Sequence, residues 1–270
     1  MTLDPWWKPT RPVADRSLVI TGTSTDVGKT IVTAALAATL AAAGTDVAVC
    51  KPAQTGVGPD EPGDLATVTA LAGDLPTWEG ARFPDPLAPE TAAHRAGSPQ
   101  LDINDVVPRV ADIVGDHRLT LIEGAGGVLV RLAPEFTILD VARALGSAVL
   151  VVTQPGLGAL NHAELTVAAI RAAGVDVAGL VIGSWPAAPD LAMRCNRHDL
   201  PRLTGVPVVG VLPEGAGAMS GETFRSAAPT WFDADWITAI RTHADAPQTV
   251  AHADSPQTTP TDNSHLEGIF

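Results

Sequence analysis

Six short runs of apolar residues recur along the chain, and longer segments rich in alanine and leucine separate them. Because each run is apolar at consecutive positions, it predicts a strand that is covered on both faces. The predicted strands are 18–21, 47–50, 119–122, 148–153, 177–182 and 206–212, and the predicted helices include 29–43, 101–114, 160–173 and 191–203. Strands that alternate with helices favour an α/β fold whose sheet is mostly parallel and is flanked by helices.

The two ends of the chain lack this pattern. Residues 1–16 carry three prolines and two adjacent tryptophans without periodicity, which predicts an N-terminal arm. At the other end, "HADAPQT" at 243–249 recurs as "HADSPQT" at 252–258, in a stretch with few apolar residues. Such a composition predicts disorder. We therefore expect one folded domain over 17–242 and a disordered tail over 243–270, whose histidines are more simply explained by solvation than by metal binding.

Charge and composition narrow the range of partners. Thirty acidic against seventeen basic residues give a formal charge of −13, which repels nucleic-acid backbones and anionic membranes. The first residues resemble no signal peptide, and no apolar run is long enough to span a bilayer. The two cysteines suggest no disulfide framework. We expect a cytoplasmic protein without nucleic-acid or membrane partners, which must capture any anionic ligand locally.

One glycine-rich stretch has the form of a phosphate-binding loop. "TGTSTDVGKT" at 21–30 connects the first predicted strand to the first predicted helix. In such loops backbone N–H groups surround an anion, the lysine reaches the outer phosphates, and the threonine hydroxyl binds magnesium. The usual spacing has four residues between the glycines, whereas Gly22 and Gly28 enclose five. The expected nucleotide-binding residues of this loop are Asp26, Val27, Gly28, Lys29, Thr30 and Ile31.

Four further stretches occur in order along the chain, namely "KPAQTG" at 51–56, "GDL" at 63–65, "EGAGG" at 123–127 and "GLGALNH" at 156–162. Together with the loop they resemble the dethiobiotin synthetase family, whose members have a single P-loop NTPase-like domain. The resemblance extends over about residues 18–212. It implies an ATP- or NTP-dependent cyclo-ligase of biotin biosynthesis, which closes a ring from 7,8-diaminononanoate and CO2 through a phosphorylated carbamate.

The resemblance assigns the catalytic cations. Lys29 would bridge the outer phosphates and the carbamate, and Lys51 would hold the carbamate oxygens. Fixed cations suit this chemistry because each step develops negative charge on oxygen. A lysine at the end of a strand is otherwise only a solvated residue.

The resemblance also assigns Mg2+ to three oxygen ligands, Thr30, Asp64 and Glu123, with the nucleotide bound further by Gly124, Ala125 and Gly126. Glu123 follows a predicted strand, and the glycines after it leave room for phosphate. The assignment of Asp64 stays open, because its side chain could instead cap a helix that starts at Leu65.

For the diamine, the resemblance implies contacts with Thr55 and with Gly158, Ala159, Leu160 and Asn161. The last four stand at the start of a predicted helix, where free N–H groups favour a carboxylate. In the family this loop belongs to the neighbouring subunit, so a homodimer is implied. Thr55 could equally be an ordinary turn residue, and His162 is better explained by local packing than by acid–base catalysis.

Base recognition departs from the family pattern. Many members carry an asparagine at the end of the fifth predicted strand, but here Gly183 and Ser184 occupy that place. Contacts with the base would then fall to backbone groups, to Ser184 or to Pro213, Glu214 and Gly215. We expect weak discrimination, with CTP bound or used about as well as ATP.

Two other functions remain possible from the sequence. A related synthetase could ligate a larger carboxylate, although "KPAQTG" argues against it. A nucleotide-driven dimeric switch is the second, but such switches carry another lysine at the start of the loop, where this chain has Thr21, Gly22 and Thr23.

Overall fold

Strands and helices alternate through residues 16–244, which is the part of the chain that the computed structural model describes. The strands are β1 (Ser17–Gly22), β2 (Val47–Thr55), β3 (Thr77–Phe83), β4 (Leu119–Gly127), β5 (Arg131–Ala133), β6 (Phe136–Thr137), β7 (Ala148–Thr153), β8 (Val177–Trp185) and β9 (Val208–Pro213). The helices are α1 (Lys29–Ala42), α2 (Asp64–Ala72), α3 (Pro89–Ala96), α4 (Ile103–Asp116), α5 (Ile138–Leu145), α6 (Ala159–Ala172), α7 (Leu191–Thr204), α8 (Gly221–Ala227) and α9 (Ala234–Ala244).

Seven of these strands form one sheet in the order β3-β2-β4-β1-β7-β8-β9, and every neighbouring pair is parallel. β1 lies in the interior, with β4 on one side and β7 on the other. Chain order therefore reverses at β1, and ligands of open parallel sheets bind at the carboxyl edge of such a reversal. The remaining two strands, β5 and β6, pair as a small antiparallel ribbon.

Two apolar layers cover the sheet. One contains buried residues of α1, α2, α8 and α9, and the other contains buried residues of α4, α5, α6 and α7. Every residue of β1 and β7 is buried. The prediction of strands covered on both faces is confirmed.

All six predicted strands and all four predicted helices are present, but three strand ends were predicted too early. β2 continues to Thr55, β4 to Gly127 and β8 to Trp185. Lys51, Glu123 and Gly183 therefore lie within strands rather than after them. The predicted strands ended where the apolar runs meet glycine or polar residues. In the structure, residues such as Lys51 and Glu123 still pair with neighbouring strands.

The ends of the domain differ slightly from prediction. Helix α9 continues to Ala244, two residues beyond the predicted boundary at 242, because Ala244 is only 1% exposed and packs in the core. Arg241 also donates from its Nη2 to the carbonyl oxygen of Ala43, at 2.8 Å. The predicted arm (1–16) and tail (243–270) otherwise lie outside the described residues. Within 16–244, no helix is long and apolar enough to cross a membrane.

Candidate active site

The glycine-rich loop closes tightly between β1 and α1. Asp26 has a φ of 56° and Gly28 a φ of 94°, so the chain turns through the left-handed region twice before α1 begins. Gly22 is required for the same closure, since a Cβ atom there would lie 2.6 Å from the carbonyl oxygen of Ser24. A turn of this kind directs successive backbone N–H groups inward, which suits an anion.

Lys29 opens α1 and points back over the loop. Its Nζ donates to the carbonyl oxygen of Ser24 at 3.1 Å, and the residue is only 8% exposed. Burial, followed by repulsion from Lys51, lowers the pKa of Lys29 below its ordinary value. An ammonium group in this setting gains stability from a bound anion, because it has lost most of its water.

A buried ion cluster lies beside this loop. The Nζ of Lys51 lies 2.8 Å from Glu123 Oε1 and 2.5 Å from Asp64 Oδ2, and it also donates to the carbonyl oxygen of Gly124 at 3.2 Å. Thr30 Oγ1 donates to the same Glu123 oxygen at 2.9 Å. Lys51 and Glu123 are 3% and 1% exposed. Residues from two strands and two helices thus meet in one cluster, which is buried at Lys51 and Glu123 and open to solvent at Asp64, whose side chain is 34% exposed.

The charge of Lys51 is maintained by these carboxylates. Burial alone favours the neutral amine, but attraction to Glu123 and then to Asp64 outweighs it and raises the pKa of Lys51 above its ordinary value. Lys51 is therefore a fixed cation.

The oxygen atoms of this cluster could hold a magnesium ion. Thr30, Asp64 and Glu123 supply one hydroxyl and two carboxylates, and Mg2+ prefers such hard oxygen ligands. Glu123 Oε2 is buried and has no hydrogen-bond partner within residues 16–244. An unpaired buried carboxylate oxygen is costly, and a cation would relieve it. Lys51 already demonstrates that this position accepts positive charge.

A cleft of about 940 Å³ opens from the loop and the cluster. The predicted site residues that line it are Asp26, Gly28, Lys29, Thr30, Ile31, Lys51, Thr55, Asp64, Glu123, Ala125 and Gly126. Two more predicted residues lie next to these lining residues. Val27 is buried in the loop, at 5% exposure, and Gly124 accepts a hydrogen bond from Lys51. Most of the predicted phosphate, metal and carbamate residues are thus brought together.

The structure removes one alternative for Asp64. Helix α2 begins at Asp64 itself, with Gly63 as its N-cap and no side-chain cap. The alternative that the Asp64 side chain caps a helix starting at Leu65 is therefore excluded. Its carboxylate instead contacts Lys51 and faces the cleft.

Sequence reasoning missed Gln54, which fixes the start of α2. Its Oε1 accepts from the backbone N–H of Asp64 at 2.8 Å, and the residue is 3% exposed. Gln54 belongs to the "KPAQTG" stretch, so a polar residue at a buried strand position was the available signal. The opposite wall of the cleft, which was also missed, consists of residues 86–89.

The predicted base-binding residues lie apart from the lining of this cleft. Gly183 packs beneath the loop, where a Cβ atom would lie 2.0 Å from the carbonyl oxygen of Val27. Ser184 is exposed, and Pro213, Glu214 and Gly215 follow at the end of β9. The N–H of Glu214 donates to the carbonyl oxygen of Trp185 at 2.8 Å, which joins the two strand ends.

The predicted diamine loop also lies apart. Gly158, in the left-handed conformation, is the N-cap of α6, which continues with Ala159, Leu160 and Asn161. None of the four lines the cleft of its own chain. The preceding residue, Leu157, is 84% exposed.

Comparison with known proteins identifies relatives. A family model described as an AAA domain matches residues 16–220. The ATP-dependent dethiobiotin synthetase BioD of Rhodococcus jostii is 59% identical over 221 residues, covering 82% of this chain and 96% of that protein. The protein of the same name from Streptomyces coelicolor is 56% identical over 215 residues, covering 79% of this chain and 90% of that protein.

Among solved structures, the septum site-determining protein MinD of Pyrococcus horikoshii, complexed with Mg-ADP, matches with a TM-score of 0.52. It is 16% identical, and the match covers 85% of this chain and 94% of that one. At this identity the match supports the fold alone, which is a P-loop NTPase-like α/β fold.

The contact between Gly183 and the loop generates a prediction. Gly183→Ala introduces a methyl group where the Val27 carbonyl lies, and overpacking of this kind costs about 1–3 kcal/mol. Because the strain falls on the phosphate loop, we expect nucleotide affinity to weaken about tenfold, as measured by isothermal titration calorimetry. Gly115→Ala, at a position where a Cβ atom meets nothing within 4 Å, is the control. Unchanged affinity in Gly183→Ala would contradict the packing argument.

Proposed function

The chain belongs to the ATP-dependent dethiobiotin synthetase family, and on that basis we propose that it closes the ureido ring of dethiobiotin in biotin biosynthesis. Its substrates are 7,8-diaminononanoate, CO2 and a nucleoside triphosphate. The observation that carries the proposal is the position of Lys51, whose ammonium lies in the cleft beside both the phosphate loop and a pair of carboxylates. The switch considered from the sequence would carry its second lysine at the start of the loop, whereas Lys51 belongs to β2.

The reaction proceeds in three balanced steps. One amine nitrogen bonds to the carbon of CO2 and loses a proton, which gives a carbamate. A carbamate oxygen then attacks the γ-phosphorus while the bond to the nucleoside diphosphate breaks. Finally, the second amine attacks the carbamoyl carbon and loses a proton, the carbon–oxygen bond to phosphate breaks, and the ring closes.

The chain's own cations stabilise the oxygen charge that develops in these steps. Lys51 remains protonated because of Glu123 and Asp64, so it can orient the carbamate oxygens. Lys29 lies over the loop and can bridge the γ-phosphate to the carbamate. Charges that are already in place when the reaction begins need no reorganisation, which makes them effective in a dry cleft. Thr55 at the end of β2 lines the same cleft and contacts the diamine.

Magnesium binds at Thr30, Asp64 and Glu123 in this proposal, and it neutralises phosphate charge when bound. The unpaired Oε2 of Glu123 supports this assignment. Lys51 and Thr30 both contact Glu123 Oε1, so Oε2 would be the oxygen of this carboxylate that is available to a metal.

A homodimer with shared sites is the assembly that fits the diamine loop. Residues 158–161 line no part of their own chain's cleft, although they would bind the diamine carboxylate. Leu157, next to this loop, and Leu165, in α6, are 84% and 62% exposed. Apolar surface exposed beside a site loop suits an interface between subunits. Cytoplasmic localisation is consistent with these substrates.

Backbone groups and Ser184 recognise the nucleotide base, together with residues 213–215. A side chain at position 183 is excluded by the Val27 carbonyl, so no asparagine amide can read the base edge from there. Without such a bidentate contact the site excludes other bases poorly.

The function is tested by the substrate dependence of phosphate release. We expect release from the nucleotide only when 7,8-diaminononanoate and bicarbonate are both present, with dethiobiotin formed in equal amount by mass spectrometry. Each single omission serves as a control. Release that needs neither substrate would contradict the ligase and favour a nucleotide-driven switch.

Two substitutions separate the metal from the carbamate. Glu123→Gln removes a ligand charge with little change in volume, so we expect turnover to fall at least a hundredfold and the magnesium requirement to rise. Lys51→Ala leaves the acidic pair free for metal, so nucleotide binding persists while diamine-dependent turnover is lost. Glu135→Gln, at an exposed turn, is the control. Retained turnover at limiting magnesium in Glu123→Gln would show that Glu123 is not a metal ligand. Lost nucleotide affinity in Lys51→Ala would place Lys51 on the phosphates instead of the carbamate.

Shared sites are tested by subunit mixing. Lys51→Ala disables the cleft, and Gly158→Val disables the loop because a β-branched residue disfavours its φ of 89°. Each variant is inactive alone, but a mixed dimer has one intact site. We expect about a quarter of wild-type activity after the two are unfolded and refolded together. If activity does not return, the loop serves its own chain.

Base selectivity is measured by competition binding of ATP, GTP and CTP to one preparation. We expect dissociation constants within about tenfold of one another, because one lost bidentate contact corresponds to roughly 1–3 kcal/mol of discrimination. A preference of a hundredfold or more for ATP would show that backbone groups alone select adenine.

A further inference from the structure

The loop that precedes α6 is buried at Pro155 but exposed at Leu157 and Gly158. A Cβ atom at Gly156 would meet nothing within 4 Å, and Leu157 is 84% exposed. The N–H of Ala159 donates to the carbonyl oxygen of Gly156, at 3.2 Å, and so stabilises only the turn itself. Such a segment needs an external contact to fix its position relative to the sheet.

Asn196 of α7 supplies that contact. Its Nδ2 donates to the carbonyl oxygens of Pro155 and Gly156, at 2.9 and 2.7 Å. The residue is only 6% exposed, although the neighbouring Cys195 and Arg197 are exposed. A buried amide that uses both of its hydrogen atoms on one loop is a specific tether, since its loss would leave the Pro155 carbonyl without this partner, which is costly for a buried group.

We propose that Asn196 is a positioning residue for the substrate carboxylate, acting through the backbone of residues 155–158 at the start of α6. The inference rests on the proposed function, in which the first turn of α6 binds the carboxylate of the diamine. That turn has backbone N–H groups without an intrahelical acceptor. Their direction depends on where the loop enters the helix, and Asn196 fixes this entry.

The chemistry of the contact dictates the test substitution. Asn196→Asp preserves shape but replaces the two donor hydrogens with an acceptor oxygen, so two carbonyls face a carboxylate. Attraction becomes repulsion, and the loop moves away from α7. The side-chain hydrogen bonds of Asn196 go to residues 155 and 156 and not to the phosphate loop or the ion cluster, so we expect nucleotide binding to change little.

The experiment compares Asn196→Asp with Cys195→Ser, an exposed position on the same helix. In Asn196→Asp we expect KM for 7,8-diaminononanoate to rise at least tenfold, while kcat and the dissociation constant of the nucleotide change less than threefold. Cys195→Ser should change none of these values. A purely structural role would instead lower kcat and nucleotide affinity together.

A KM within twofold of wild type in the folded Asn196→Asp variant would overturn the inference, as would a parallel loss of nucleotide affinity. If this variant does not fold, Asn196→Ser retains one donor without adding charge and is judged by the same thresholds. A wild-type enzyme that forms no dethiobiotin would overturn the proposed function instead, so the two failures are distinguishable.

Discussion

The buried contact between Lys51 and Glu123 is the constraint on which the rest of the site depends. Removing either charge from water costs on the order of several kcal/mol, so each must keep its partner in good geometry. Their distance of 2.8 Å can persist only if β2 and β4 keep their register. Asp64 and Thr30 complete the pairing, and they extend the same requirement to α2 and α1. The cluster thus fixes four elements relative to one another.

The order of the strands in the sheet brings these residues together. β2, β4 and β1 are adjacent in the sheet, and all three run in the same direction. Their carboxyl ends therefore deliver Lys51, Glu123 and the phosphate loop to one edge. Gln54 lies three residues after Lys51 on β2, and its side chain accepts a hydrogen bond from the backbone N–H of Asp64. Lys51 and Lys29 are well positioned because they belong to a strand and to a helix start rather than to loops.

Local patterns predicted the interior of the fold and most of the polar residues that line the cleft, but not the contacts between distant segments. The strands that are buried on both faces were evident, whereas β3, with the sequence "TWEGARF" at the sheet edge, was not. A half-exposed strand has no continuous apolar run. The roles of Gln54 and Asn196 also escaped prediction, because each depends on a backbone group that folding alone brings near. Asp64 was ambiguous for the same reason.

The five residues between Gly22 and Gly28 connect phosphate binding to base recognition. They bring the carbonyl of Ser24 back over Gly22 toward Lys29, and they bury Val27 with its carbonyl against β8. A Cβ atom at Gly183 would lie 2.0 Å from that carbonyl, so the course of the loop requires glycine there. Any side chain at position 183 is therefore excluded by packing. In this chain, the course of the glycine-rich loop thus also determines which residue β8 can carry beside it.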